Sequence, residues 1–243
     1  DRTRGHVLAV IEEMAYRPSA LARGLSIGTA GVLAAVVQRM TTPSALQRLR
    51  GILDVASDAG FDVILHNVST ADDYRDHVRD LLRPDRCAGG LLVSTKPDDE
   101  DGEKLADNEV PVVIVDGKLP GLSSLFVDDE RGGQMATEHL IKLGHQRIAF
   151  VGDWEDDIGF RPTAARKAGY LKAMADAGLE VPDQYVKTGP HEHLVTLAAT
   201  NQLLDLDEPP TGVVASADSH AMVIAQAARD RGVRVPEDLS VIG

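Results

Sequence analysis

The 243-residue sequence holds one cysteine, Cys87, so no disulfide can join two points of it, and a reducing compartment is the natural reading. Cys87 stands just before an apolar run, with no histidine or basic cluster near it, and reads as a core residue rather than a reactive thiol. Aromatic residues make up only 4%, which leaves the core to Val, Leu, Ile and Ala. Positive charge is also scarce. Lys and Arg number 25 against 38 Asp and Glu, a formal net charge of -13. That balance excludes a nucleic-acid surface running the length of the chain, so any DNA contact must be local. No apolar stretch approaches the roughly 18 residues of a membrane span. The polar start Asp1-Arg2-Thr3-Arg4 is no signal peptide, and the expected location is the cytoplasm. No G-x-x-x-x-G-K-[ST], no G-x-G-x-x-G between strand and helix, and no G-x-S-x-G elbow is present, which removes the common phosphate-binding and hydrolase devices.

What is present is a regular alternation of helix and strand patterns. Val7, Leu8, Ile11 and Met14 share a helical face. Tyr16-Arg17-Pro18 ends that helix, and Ser19 is placed to cap a short second one over residues 20–25. Residues 32–37 form a continuous apolar run, the mark of a parallel strand buried on both faces. Leu46, Leu49, Ile52, Leu53 and Ala56 then make a helical stripe ended by Gly60. Strands follow over 61–65, 89–93, 110–115 and 125–127, with helices over 74–82 and 100–107. The pattern then repeats, with strands at 148–151, 185–187, 213–216 and 239–242. Its helices are expected at 132–143, 163–177, 194–204 and 221–231. Such alternation predicts an α/β protein of parallel sheets with right-handed crossovers, here two Rossmann-like lobes that change near residue 128.

Several polar groupings have bland readings. His191-Glu192-His193 does not share a helical face and has no further Cys or His beside it in sequence, so it reads as a solvated helix start and no metal site is expected. Asp153, Glu155, Asp156 and Asp157 resemble part of a calcium loop, but Ile158 and Ala164 occupy the positions that need glycine and glutamate. Carboxylates at strand ends carry more information. Asp116, Asp153 and Asp218 each follow an apolar strand, where α/β lobes place ligand-contacting side chains. Arg166, on the first turns of the following helix, is placed to reach the same region. From spacing alone, ligand contact and simple helix capping remain equally open for each carboxylate.

At this point the residues resemble the lactose-repressor (LacI/GalR) family. Residues Tyr16-Arg17-Pro18-Ser19-Ala20-Leu21-Ala22-Arg23-Gly24-Leu25 resemble that family's hinge-helix segment. Val127-Asp128-Asp129-Glu130-Arg131-Gly132-Gly133, with Ala136-Thr137-Glu138-His139-Leu140 and the run Leu143 to Gly152, is similar to its central signature. Val233 to Gly243 is similar to the stretch before its late cleft loop. The resemblance spans nearly the whole chain. It implies two lobes of the periplasmic-binding-protein type with an effector in the cleft between them, a helical DNA-binding head and a homodimer.

By that resemblance, residues 1–26 hold the last helix of the head plus the hinge helix. Residues 27–128 are the N-terminal lobe and 129–243 the C-terminal lobe. Leu25 matches the leucine that wedges a base step in the minor groove. Arg17 and Arg23 suit phosphates, and Ser19, Ala20 and Ala22 sit where the hinge helix meets the groove. Arg166 matches the family's cleft arginine three residues before Gly169-Tyr170, and Asp116 and Asp218 match its cleft positions, although Ala217 replaces the usual asparagine. The first cleft loop departs from the family: Thr42-Pro43-Ser44-Ala45 stands where many members carry Asn-Pro-Phe-Phe. Ser44 is therefore the expected contact there, with Trp154 or Phe160 as substitute aromatic platforms. Family members begin with two further head helices and continue through another cleft loop, so the sequence is expected to be incomplete at both ends.

The function implied is a repressor that binds operator DNA and answers to a sugar-like effector, with no cofactor and no membrane partner. Two other classes stand beside it. A stand-alone periplasmic-type sugar-binding protein needs the same lobes, but the hinge segment argues against it. An enzyme needs a nucleophile–base pair or a metal set, and none rises above chance.

Overall fold

The computed structural model describes residues 2–15, 31–81, 83–95, 97, 99–154 and 162–243. The proposed hinge segment, with Arg17, Ser19, Ala20, Ala22, Arg23 and Leu25, lies outside the described residues, as does Phe160. Two compact units divide the chain, Asp1–Phe126 and Val127–Gly243.

The first unit opens with helix α1 (Arg2–Glu13), whose apolar stripe of Val7, Leu8, Ile11 and Met14 is exposed. Strand β1 (Val32–Gln38) follows, then α2 (Pro43–Asp58), β2 (Asp62–Val68), α3 (Ala71–Leu81), β3 (Gly89–Val93), α4 (Asp99–Ala106), β4 (Val112–Val115) and β5 (Ser123–Leu125). The strands form one parallel sheet in the order β2-β1-β3-β4-β5. β1 is buried from Ala34 to Gln38, as its unbroken apolar run requires of a central parallel strand. Ala35, Val37 and Val93 pack on Ala45 and Leu49 of α2, with Ile52 against the same core, so only part of the stripe read from the sequence faces the sheet, whereas Leu46 and Leu53 are exposed. Thr42 caps α2 by accepting from the Ala45 N–H, and Pro43 opens the helix, where a missing N–H costs nothing.

The second unit runs α5 (Asp129–Lys142), β6 (Ile148–Asp153), α6 (Pro162–Asp176), a 3-10 turn (Asp183–Tyr185), β7 (Val186–Gly189), α7 (His193–Leu204), β8 (Gly212–Ala215), α8 (Asp218–Asp230) and β9 (Ser240–Ile242). Its parallel sheet has the order β7-β6-β8-β9. Alternate residues of the strands feed two cores. Ala149, Val151, Val213 and Ala215 join Leu203 of α7 with Ile224 and Ala228 of α8. Ile148, Phe150 and Val214 join Leu140 of α5 with Tyr170 and Met174 of α6. A fully buried side chain of this size contributes roughly 1.5–3 kcal/mol.

Helices α5 and α6 cross at very close range because each presents a glycine. A Cβ on Gly133 would lie 2.0 Å from the Arg166 carbonyl oxygen, and one on Gly169 would lie 1.9 Å from that of Glu130. His145 ties the opposite end of the sheet together, with Nδ1 3.0 Å from the Thr211 hydroxyl and Nε2 3.0 Å from that of Ser240. Among the described residues no helix is long and apolar enough to cross a membrane. The short strand expected at 125–127 sits at Ser123–Leu125 instead. Two serines form most of it, so its apolar signal was weak, whereas Phe126 and Val127 are exposed beyond the pairing.

Candidate functional site

Both sheets place the strand that comes first in their unit inside the order, so chain connections diverge on either side of it. In such open α/β sheets the crevice at the carboxyl ends, where the order reverses, is the ligand-binding position. In the first unit the reversal lies at β1 and β3, in the second at β6 and β8.

At the carboxyl edge of the first sheet, Asp116 follows β4 with a left-handed backbone, φ 66°, a conformation that aspartate tolerates better than most residues. Its N–H donates to the Leu125 carbonyl oxygen at 2.7 Å. The side chain is buried, accepts from the Ser94 hydroxyl at 3.1 Å and pairs with the Arg48 guanidinium at 2.5 Å. A buried carboxylate needs such partners, because its desolvation otherwise outweighs what it gains. Beside Ser94, the Thr95 hydroxyl is buried with no hydrogen-bond partner among the described residues, an arrangement that costs roughly 1–3 kcal/mol until something meets it. Ser44 lies exposed in the first turn of α2, one turn before Arg48.

At the carboxyl edge of the second sheet, Arg166 spans three elements. Its Nε donates to Asp129 at 2.8 Å, its Nη2 lies 2.7 Å from the same oxygen, and its Nη1 donates to the Ser216 carbonyl oxygen. The guanidinium thereby fixes the starts of α5 and α6 against the end of β8. Asp218 is exposed and begins α8, where a negative charge suits the helix dipole. A Cβ on Gly243 would lie 2.7 Å from its Oδ1, so glycine at 243 leaves this carboxylate room. Trp154, which follows Asp153, is 60% exposed.

Asp153, the last residue of β6, accepts from two histidines. The Nδ1 of His191 lies 2.9 and 3.0 Å from its two oxygens, and the Nε2 of His220 lies 2.9 Å from Oδ1. Burial works against ionisation of Asp153, but the hydrogen bonds and charge of His191 and His220 outweigh it. They hold the carboxyl far below the usual range. The backbone permits this because Gly152 sits where a Cβ would be only 2.7 Å from Thr163 Cγ2 and 2.8 Å from Ser216.

Of the residues singled out in the sequence, Asp116 and Ser44 belong to the first edge, and Asp153, Arg166, Asp218 and Trp154 to the second. Arg48, Ser94, Thr95, Asp129 and His220 were missed. Arg48 was accessible to the rule that found Arg166, since it stands on the first turns of a helix after a strand. Asp129 and His220 were not, because only the crossovers bring them to their partners. The solvated-start reading holds for Glu192 and His193, exposed at the start of α7, whereas His191 turns to Asp153, where it meets a histidine distant in sequence, His220. A hollow of about 360 Å³ lined by Ala225, Arg229, Gly232, Val233 and Arg234 lies before β9, on the amino side of the sheet, and brings no strand-end side chains together.

The chain matches known proteins over almost its full length. A family model for the periplasmic binding protein-like domain matches residues 137–243. The chain is 32% identical to catabolite control protein A of Priestia megaterium, covering 99% of this chain and 73% of that protein. It is equally 32% identical to the ribose operon repressor of Escherichia coli strain K12, covering 98% of this chain and 72% of that one. The solved structure of the transcriptional regulator CelR in complex with cellobiose superposes with a TM-score of 0.74 at 27% identity, covering all of this chain (100%) and 73% of that one. These relatives repress or regulate transcription and are not enzymes. With its two parallel α/β units and this agreement along its length, the chain belongs to the LacI/GalR family of transcriptional regulators.

Proposed function

We propose that the protein is a cytoplasmic repressor that binds operator DNA as a homodimer and responds to a small, sugar-like effector held by side chains at the carboxyl edges of its sheets. The observation that carries this reading is the agreement over 99% of the chain with a transcriptional regulator. Residues 1–26 supply the end of a DNA-binding head and the hinge helix, and 27–128 and 129–243 form the effector-binding core. In the hinge, Leu25 wedges a base step, Arg17 and Arg23 meet phosphates, and Ser19, Ala20 and Ala22 line the groove contact.

Asp116, Arg166, Asp218 and Ser44 offer the charged and hydroxyl groups that grip a polyol, with Trp154 and Phe160 as aromatic faces. A cellobiose complex and a ribose operon repressor among the relatives favour a sugar. The Thr95 hydroxyl, with no hydrogen-bond partner among the described residues, supports a ligand at the first edge. Met222, 73% exposed on α8, and Leu46, 54% exposed on α2, suit a dimer surface. A short hinge helix is marginal alone and folds when DNA and dimer spacing both favour it. Effector and operator are then coupled, each changing the affinity of the other by the same factor.

The test uses the complete product of the gene. Duplexes selected from a random pool are expected to be bound by a dimer and to change affinity when effector is added. A monomer by light scattering at micromolar concentration, or affinity indifferent to every ligand that binds, contradicts the reading.

A further inference from the structure

We propose that Asp153, His191 and His220 form a binding site for a divalent transition-metal ion of the zinc class. The site lies wholly within the second unit and stands independently of the repressor reading. Three separate strand ends build it: Asp153 closes β6, His191 follows β7, and His220 lies in the first turn of α8 after β8. One carboxylate oxygen and one nitrogen from each ring lie within 4.8 Å of one another.

Two of the three side chains are withdrawn from solvent, and His191 is the exposed member. His220 is 3% exposed and the Asp153 side chain 13%. A structural clasp between β6 and α8 needs one histidine, yet two converge on the same carboxylate. Their rings meet edge to face with centroids 4.9 Å apart. Two imidazoles and a carboxylate are a donor set that suits zinc and its neighbours, whereas magnesium and calcium prefer oxygen alone.

Loading requires little rearrangement. Ligand bonds of about 2.0–2.2 Å place tetrahedral donors roughly 3.3–3.5 Å apart, slightly wider than the present hydrogen bonds. In the metal-free trio each ring points an N–H at the carboxylate. On binding, the nitrogen that carried this proton becomes the ligand atom, and the proton passes to solvent or, through solvent, to the ring's other nitrogen. For His220 the other nitrogen is Nδ1, 3.4 Å from the Ser216 hydroxyl, which then serves as its outer hydrogen-bond partner. Three protein donors leave at least one coordination position for water or a ligand oxygen.

The experiment is a calorimetric titration of chelator-treated, dialysed protein with zinc chloride, repeated with cobalt(II) followed by visible absorption. Trp154, next to Asp153 and the only tryptophan in the chain, gives a fluorescence readout of the same event. One ion per chain is expected. The His191→Ala variant, at an exposed position, and the His220→Gln variant are each expected to lose at least roughly tenfold in affinity. His193→Ala is expected to bind as the wild type does, and circular dichroism of each variant checks that it remains folded. Absence of saturable binding at micromolar zinc overturns the proposal. So does binding that survives in a folded His191→Ala variant, or binding abolished by His193→Ala but spared by His220→Gln.

Discussion

The first four strands of each unit share an order, but the two units hold their edge aspartates differently. In the first, Asp116 is neutralised by a guanidinium, a partner that keeps its charge at every physiological pH. In the second, Asp153 is held by two imidazoles, while the available guanidinium, Arg166, is spent on Asp129 and the Ser216 carbonyl. One edge is therefore a fixed ion pair and the other a set of groups able to exchange protons or accept an ion. Similar connectivity leaves the chemistry at the strand ends free to differ, because those side chains lie beyond the strand pairing and different partner sets can satisfy them.

The largest effect that separates structural from ligand-binding parts of the second unit lies in its paired glycines. Gly133→Ala is expected to cost about 3 kcal/mol or more by chemical denaturation, since its Cβ would enter the Arg166 backbone. The neighbouring Gly132→Ala meets nothing within 4 Å and is expected to stabilise by up to about 1 kcal/mol, the helix-propensity gain. Equal effects at the two positions would refute the close crossing of α5 and α6.

Next come the edge charges. Asp116→Asn breaks a buried pair with Arg48 and is expected to destabilise by about 2 kcal/mol, less than for a fully buried pair because Arg48 is 25% exposed. Arg166→Ala is expected to cost about 1–2 kcal/mol, after allowance for a side chain 34% exposed, and to abolish effector binding. Thermal melts rank the two, and the larger loss is expected in the first unit.

A pH series sharpens the contrast. The folded-state pKa of Asp153 is depressed, so its stabilisation is complete above its unfolded value of about 4 and fades as pH falls through the lower folded value. Asp153→Asn is expected to lose stability at neutral pH and to show a shallower decline below about pH 4 than the wild type. Parallel acid limbs would remove the two-histidine clasp. The smallest effect is expected at Arg234 and Asp238. There an exposed guanidinium fork holds the carboxyl down to about 2, yet Asp238→Asn should leave the melting temperature unchanged.

Much of the fold was legible because buried parallel strands write unbroken apolar runs. Residues 89–93 were bounded to the residue, and β1 and β8 to within one. The helix signals were clear too, though α8 begins three residues before its first expected position, because Asp218, Ser219 and His220 are polar and hide the first turn. Strand-end carboxylates were legible by position alone. Their partners were not: Arg48 reaches Asp116 across the fold, and His220 reaches Asp153 only after the β6-β8 pairing is made. Periodicity reports which face a residue takes within its own element, and says nothing of which distant element will meet it there.

The most direct measurement is a thermal-shift titration of the chain against sugars, sugar phosphates and purines, with Arg166→Ala and Asp218→Ala in parallel. A ligand that binds only the folded state must raise the melting temperature. A rise with sugars that both variants lose is the expected result. A protein that melts cooperatively but responds to none of the three classes, or responds equally in both variants, would contradict an effector site at these carboxyl edges.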